Sequence, residues 1–163
     1  DVVISIPTLI FALIVLSSTG TSILALVTVI AIIYAMPVYR IARAVAMDIE
    51  VMDYVEAARL RGEGLWWIMR REILPNALTP LAAEFGLRFC FVFLLISGLS
   101  FLGLGLQPPL ADWGAMVRDN GGGIAWGFMH PLVPATCIAL LTIGINLIVD
   151  SAVQKASGLR EDH

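Results

Sequence analysis

The stretch VVISIPTLIFALIVLSSTGTSILALVTVIAIIYAMPVY, Val2–Tyr39, runs for 38 residues without a charged side chain. As helix, at about 1.5 Å per residue, it is nearly twice as long as the roughly 30 Å apolar core of a bilayer. One straight helix cannot hold it inside a membrane, so the run must turn. The turn signal is Ser17-Ser18-Thr19-Gly20-Thr21-Ser22, a cluster of small, hydrogen-bonding residues that weaken a helix. Two spans result, about 2–16 and 23–38. Pro7 and Pro37 fall near their outer ends, where a missing N–H is easiest to tolerate.

The whole composition agrees. Hydrophobic residues make up 59% of the 163 and charged residues only 14%, where a soluble domain carries about 25%. Mean hydropathy is +0.90. This balance excludes an ordinary soluble enzyme, a nucleic-acid reader and a disordered tail. It leaves an all-α, polytopic transmembrane helical bundle. The net charge of −3 says little, because in a membrane protein the placement of charge outweighs its sum. Cys90 and Cys137 lie far apart in apolar stretches and read as small buried hydrophobes. The chain starts at Asp1 with no basic segment and cleavage site before its first apolar run, so a signal peptide is not expected and an N-terminally truncated piece is.

Beyond Tyr39 the character changes. Residues 40–76 hold six arginines (Arg40, Arg43, Arg59, Arg61, Arg70, Arg71) and six acids (Asp48, Glu50, Asp53, Glu56, Glu63, Glu72). Ile49, Met52, Val55 and Ala58 keep a helical period on one face. The segment predicts two short amphipathic helices, broken near Gly62 and Gly64 and ended by Pro75. A third span follows at about 80–97, then a loop rich in Gly, Pro and Trp at 98–131, and a fourth span at about 132–149. Glu84 and Arg88, four residues apart in the acid-first order, read as a local charge pair before a pore-lining one. Asn146 reads as a helix–helix hydrogen bonder.

Basic residues set the orientation. The 40–76 loop has six, the tail has Lys155 and Arg160, and the 98–131 loop has only Arg118. The positive-inside rule places the charged loop and the C-terminus in the cytoplasm. Trp113, Trp126 and Phe128 suit an outer aromatic belt. Gln107-Pro108-Pro109 and Trp113-Gly114 suit the shaping of an outer mouth, and an amphipathic interfacial helix starting near Asp112 is an equal reading. Trp66 and Trp67 suit interface or packing roles inside.

No constellation for catalysis is present in the sequence. There is no phosphate loop, and the single lysine is Lys155. His130 and His163 are the only histidines, which excludes HExxH-type metal sites. No GxSxG elbow surrounds any serine, and Gly103-Leu104-Gly105 is a lone GxG, better read as close packing. No catalytic, cofactor-binding or metal-ligating residue is therefore expected.

What the charged loop does contain is Glu56-Ala57-Ala58, then Gly62, then Ile73-Leu74-Pro75-Asn76. Small side chains let another body approach a helix backbone closely, a flanking acid offers a charge-assisted contact or cap, and glycine permits a sharp turn. Such an element is suited to being pushed by a partner.

These residues resemble the EAA loop of binding-protein-dependent ABC importer permeases, whose pattern is Glu-Ala-Ala, three residues, Gly and later an apolar-Leu-Pro ending. Glu56, Ala57, Ala58, Gly62, Ile73, Leu74 and Pro75 match; Glu72 stands where many members carry an apolar residue. Leu99-Ser100-Phe101-Leu102-Gly103-Leu104-Gly105-Leu106-Gln107-Pro108-Pro109, followed by Asp112-Trp113-Gly114-Ala115-Met116, is similar to the dipeptide/oligopeptide/nickel branch. Arg70-Arg71 and Tyr39-Arg40 with Arg43 fit it too. The tail departs from the branch: of its usual acidic-basic run only Asp150 stands here.

The resemblance implies the type I ABC importer permease fold in a bacterial inner membrane. It implies a transport subunit and not an enzyme, moving peptides or a related small solute. The implied partners are cytoplasmic ATP-binding subunits docking on the EAA loop, a second permease subunit, an extracytoplasmic substrate-binding protein and the lipid bilayer, with no nucleic acid. ATP would be bound by the partner subunits and no cofactor by this chain. The competing readings are an intramembrane enzyme and a stand-alone channel.

Overall fold

The computed structural model of the chain describes residues 7–156. Residues 2–6 of the first expected span, and the tail from 157 onward with Arg160, lie outside the described residues. Those described fold as helices in the order α1 (Thr8–Thr19), α2 (Ile23–Glu50), α3 (Asp53–Leu60), α4 (Leu65–Ile68), a π-helical turn (Met69–Ile73), α5 (Leu74–Phe101), α6 (Trp113–Asn120), a 3-10 turn (Gly121–Trp126) and α7 (Leu132–Ala156). No strand occurs among the described residues. Among the described residues, three stretches are long and apolar enough to cross a membrane: Ile23–Glu50, Leu65–Phe101 and Leu132–Lys155. The apolar α1 has 12 residues, about 18 Å of helix, short of the bilayer core.

The turn between α1 and α2 is built by the expected hydroxyls. Ser17 and Ser18 donate to the carbonyls of Ile14 and Val15, and Thr19 also reaches Val15, each at 2.8 Å. These bonds compete with the helix ladder at its last turn. Gly20 closes it, its N–H 3.0 Å from Leu16 O. Ser22 Oγ then accepts the N–H of Ala25 at 3.1 Å and starts α2.

Three sequence expectations are corrected. Pro37 does not end the helix; α2 continues through it to Glu50, carrying Arg40 and Arg43 on the same helix. A proline inside a long helix removes one N–H, a loss that a membrane-protein helix tolerates where nearby turns adjust. Pro75 likewise ends nothing: it is the second residue of α5, and the helix runs from Leu65 to Phe101. The preceding turn widens to π geometry, with Leu74 N–H reaching back to Met69 O, and Asn76 Nδ2 donates to Glu72 O at 2.6 Å. Together these relieve the crowding a proline ring imposes on the turn before it. Met52 does not share the buried face of its neighbours. It is extended (φ −76°, ψ 144°) and 47% exposed, because the helix breaks at Val51–Met52 and restarts at Asp53. The helix that holds the third expected span, 80–97, is already formed at Leu65.

Contacts group the chain into two compact units, Asp1–Tyr34 with Arg88–Asn146, and Ala35–Leu87 with Leu147–His163. In the first, Ala12 and Leu16 of α1, Leu26, Val29, Ile30 and Ile33 of α2, and Leu95 and Leu99 of α5 form a buried cluster. Their spacings of three, four and seven residues put each set on one helix face. Phe93 and Trp113 meet edge to face at 6.2 Å, and Arg88 lies over the Tyr34 ring at 5.6 Å. The 98–131 loop folds onto the end of α5: Leu104 N–H donates to Leu99 O at 2.8 Å, and Arg118 Nη1 to Ser100 O at 3.3 Å. Asp112 caps α6, accepting from the N–H of Ala115 at 3.3 Å. Cys90 is buried, with its Sγ 3.7 Å from Thr142 O; Cys137 is half-buried, and both are free thiols.

In the second unit, the buried cluster is Ile49, Val55, Ala58, Ile68 and Ala77, with Val45, Ile73 and Leu81 packed against it. It draws one or two residues from each of α2 to α5, and it is the platform for the charged loop. Here too α5 meets α7: a Cβ placed on Gly86 would fall 2.2 Å from Val149 Cγ2, so only glycine fits that crossing as packed.

Candidate functional site

The motif Glu56-Ala57-Ala58 occupies α3, a helix of eight residues. Asp53 and Glu56 lie in its first turn and Arg59 in its last, the arrangement that complements the helix dipole at both ends. Val55 and Ala58, three apart, are both fully buried against the platform. Glu56 and Ala57 are exposed. The two alanines therefore do not share a face. Consecutive residues on a helix point about 100° apart. Ala58 seats the helix, and Ala57 beside Glu56 forms its outward surface.

Gly62 closes α3 with φ +81°. Its N–H bonds Arg59 O at 2.9 Å, and Glu63 N–H bonds Ala58 O at 3.2 Å. That pair is the Schellman pattern, which places the residue after the cap in the left-handed region that glycine enters without a Cβ penalty. Nothing lies within 4 Å of where a Cβ at Gly62 would stand. Conformation, and not crowding, selects glycine there.

Beyond the turn, Ile73 is half-buried and packs on the same cluster as Ala58, so the two ends of the motif meet through one core. Leu74 and Pro75 are exposed at the start of α5. An ion pair also joins the two parts, Arg61 Nη2 to Glu72 Oε1 at 3.8 Å. Glu72 thus has a partner within the loop at the position where an apolar residue is usual. Arg59 pairs with Glu50 across the break at Val51–Met52. Sequence spacing did not reveal either pair, whereas the burial of Ala58 follows from its helical period with Ile49 and Val55.

Of the other residues singled out, Glu84 is 9% exposed within its span. Trp66 is 73% exposed and Trp67 half as much. Among the described residues, no group of three or more His, Cys, Asp or Glu is placed to hold a metal ion.

The chain matches the family described as binding-protein-dependent transport system inner membrane component over residues 1–156, and it belongs to that family. It is 34% identical over 151 residues to a di/tripeptide transport system permease protein of Pseudomonas aeruginosa, covering 92% of this chain and 50% of that protein. It is 35% identical over 157 residues to a dipeptide transport system permease protein of Escherichia coli, again covering 92% and 50%. A glutathione transport system permease protein of Pectobacterium atrosepticum is 30% identical over 151 residues, with the same coverage. The chain thus spans about half the length of the curated relatives it matches. These relatives are named as transport permeases and not enzymes. The family accounts for an all-helical membrane fold of the type I ABC importer permease class, to which the observed helices conform.

Proposed function

We propose that this chain is the membrane permease part of an ATP-driven importer of peptides or a related small solute, and that the outward surface of α3 receives a cytoplasmic ATP-binding subunit. The observation that carries the reading is the split of the motif. Ala58 and Val55 anchor α3 in a shared core, while Glu56 and Ala57 face outward from it. Force applied at the exposed side has a direct path, through packed side chains, into Ile49 at the end of α2 and Ala77 near the start of α5. Both helices are candidates to cross the membrane.

On this reading the 40–76 loop and the C-terminus face the cytoplasm. A second permease subunit completes the path, and an extracytoplasmic binding protein delivers the solute. The peptide class is supported by the names of the relatives. ATP is held by the partner chains, and this chain binds no cofactor. Glu56, Ala57, Ala58, Gly62, Ile73, Leu74 and Pro75 form the coupling site, with Ala58 and Ile73 as its internal support.

The test is Glu56→Lys in the assembled transporter. Substrate-stimulated ATP hydrolysis is expected to fall by about tenfold or more, as expected for reversing a charge at a close interface contact. Membrane insertion and the amount of permease recovered should be unchanged. Normal stimulation in the variant would overturn the coupling role.

A further inference from the structure

The outward surface of α3 carries more than the Glu56-Ala57 pair. Leu60 follows Glu56 by four residues and Ala57 by three, so it lies on the same face one turn further on. It is 83% exposed, the most exposed large apolar side chain among the described residues. Five residues later, across the Gly62 turn, Leu65 opens α4 and is 76% exposed. Both helices are held from beneath by one buried cluster, α3 through Val55 and Ala58 and α4 through Ile68. The two leucines bracket a turn whose glycine has nothing within 4 Å of where a Cβ would stand. A lone exposed leucine needs no explanation, but two at one turn, beside a surface suited to docking, mark an interaction site.

The charges around this tip say what covers it. Arg59 and Arg61, on either side of Leu60 in sequence, pair within the chain with Glu50 and Glu72. Asp53 and Glu56 are exposed in the first turn of α3, and no ion pair among the described residues engages them. With both arginines paired internally, the face that carries Leu60 is acidic. An anionic membrane surface repels such a face, and helices that lie in a lipid interface carry Lys and Arg on their polar side. A protein surface with an apolar pocket beside a cationic rim suits it.

We propose that Leu60 and Leu65 are the anchors by which the ATP-binding subunit holds this chain, each entering an apolar pocket of that subunit, while Glu56 beside them makes the coupling contact. The assignment rests on the reading of α3 as the docking face and goes further, separating the residues that supply affinity from the residue that supplies coupling. Apolar side chains that leave water at the centre of an interface slow its dissociation, and charges at its edge act on register and encounter.

The test uses the full transporter with its partner chains in mild detergent. It measures the Kd of the ATP-binding subunit for the membrane subunits, along with solute-stimulated ATP hydrolysis. Leu60→Ala is expected to raise that Kd about tenfold to hundredfold, the scale for returning one buried leucine to water. Leu65→Ala should raise it about fivefold or more, and Leu60→Met, which conserves volume, should stay near wild type. Both leucines are exposed and alanine favours a helix, so the fold of the loop is not at stake. Excess ATP-binding subunit should restore stimulated hydrolysis in Leu60→Ala but not in Glu56→Lys. Val51→Ala, at an exposed apolar residue just ahead of α3, should leave the Kd unchanged. A Kd within about twofold of wild type in Leu60→Ala or Leu65→Ala, or an equal rise in Val51→Ala, overturns the anchors. So does a photo-crosslinker at position 60 that captures lipid instead of the ATP-binding subunit, or a Leu60→Ala defect that excess subunit does not rescue. Normal stimulation in Glu56→Lys would instead overturn the coupling reading, so the two failures are told apart.

Discussion

The two buried clusters of this chain are built from different materials. The cluster of Ala12, Leu16, Leu26, Val29, Ile30, Ile33, Leu95 and Leu99 joins three helices face to face, with aliphatic side chains from matched turns. The cluster of Ile49, Val55, Ala58, Ile68 and Ala77 takes one or two residues from each of four helices, several of them short or broken, and two of its five members are alanine. In a bilayer, lipid tails are as apolar as leucine, so close packing holds helices together more than transfer from water does. The first cluster has many such contacts to lose. The second holds a charged loop and commits little side-chain volume. A segment that must move with a partner is better served by the second kind of core, because fewer interlocked side chains resist its displacement.

That contrast can be broken by measuring unfolding in detergent. Leu16→Ala should be the most damaging change, costing about 2–5 kcal/mol, because Leu16 is fully buried and its neighbours on three helices cannot all collapse. Val55→Ala, also fully buried, should cost about 1–3 kcal/mol, removing less volume from a looser cluster. If the two losses prove equal, the distinction between the cores fails.

Gly86→Ala comes next. Its Cβ would stand 2.2 Å from Val149 Cγ2, and overpacking of that kind costs about 1–3 kcal/mol. Pairing it with Val149→Ala should restore most of the loss, and a strictly additive double variant would argue against a direct clash. Gly62→Ala should cost about 1–2 kcal/mol, from conformation alone, since its surroundings are open. Faster amide exchange confined to α3 and the following turn is the expected signature. The smallest effect belongs to Glu50→Gln, which breaks the exposed pair with Arg59. It should cost no more than about 1 kcal/mol, with the difference fading as salt is added.

How much of this was legible beforehand depends on the range of each interaction. The Ser17–Ser22 turn was readable because its hydroxyls bond carbonyls three or four residues away, within one helix turn. Gly62 was readable as a turn because a helix end is a local event. Pro37 and Pro75 misled for the same reason. Proline has a strong local preference against helix interiors, yet α2 runs on past Pro37, and the π turn before Pro75 absorbs its ring. The break at Val51–Met52 carries no Gly or Pro and left no local mark at all.

Of the candidate site, the residues themselves were named from the chain, and the helical period of Ile49, Val55 and Ala58 marked Ala58 and not Ala57 for the apolar face. What that face packs against was not legible. That depends on where Ile49, Ile68 and Ala77 stand, 9 to 19 residues away along the chain.

The linear order of residues was enough to place this chain in a membrane and to mark its charged loop. Transfer free energy and charge placement sum over neighbours in sequence, so they need no knowledge of the fold. What the inner face of α3 packs against and where Gly86 must stay bare were settled by packing. Each depends on side chains from different helices arriving at one place, a condition that periodicity along a single segment cannot express.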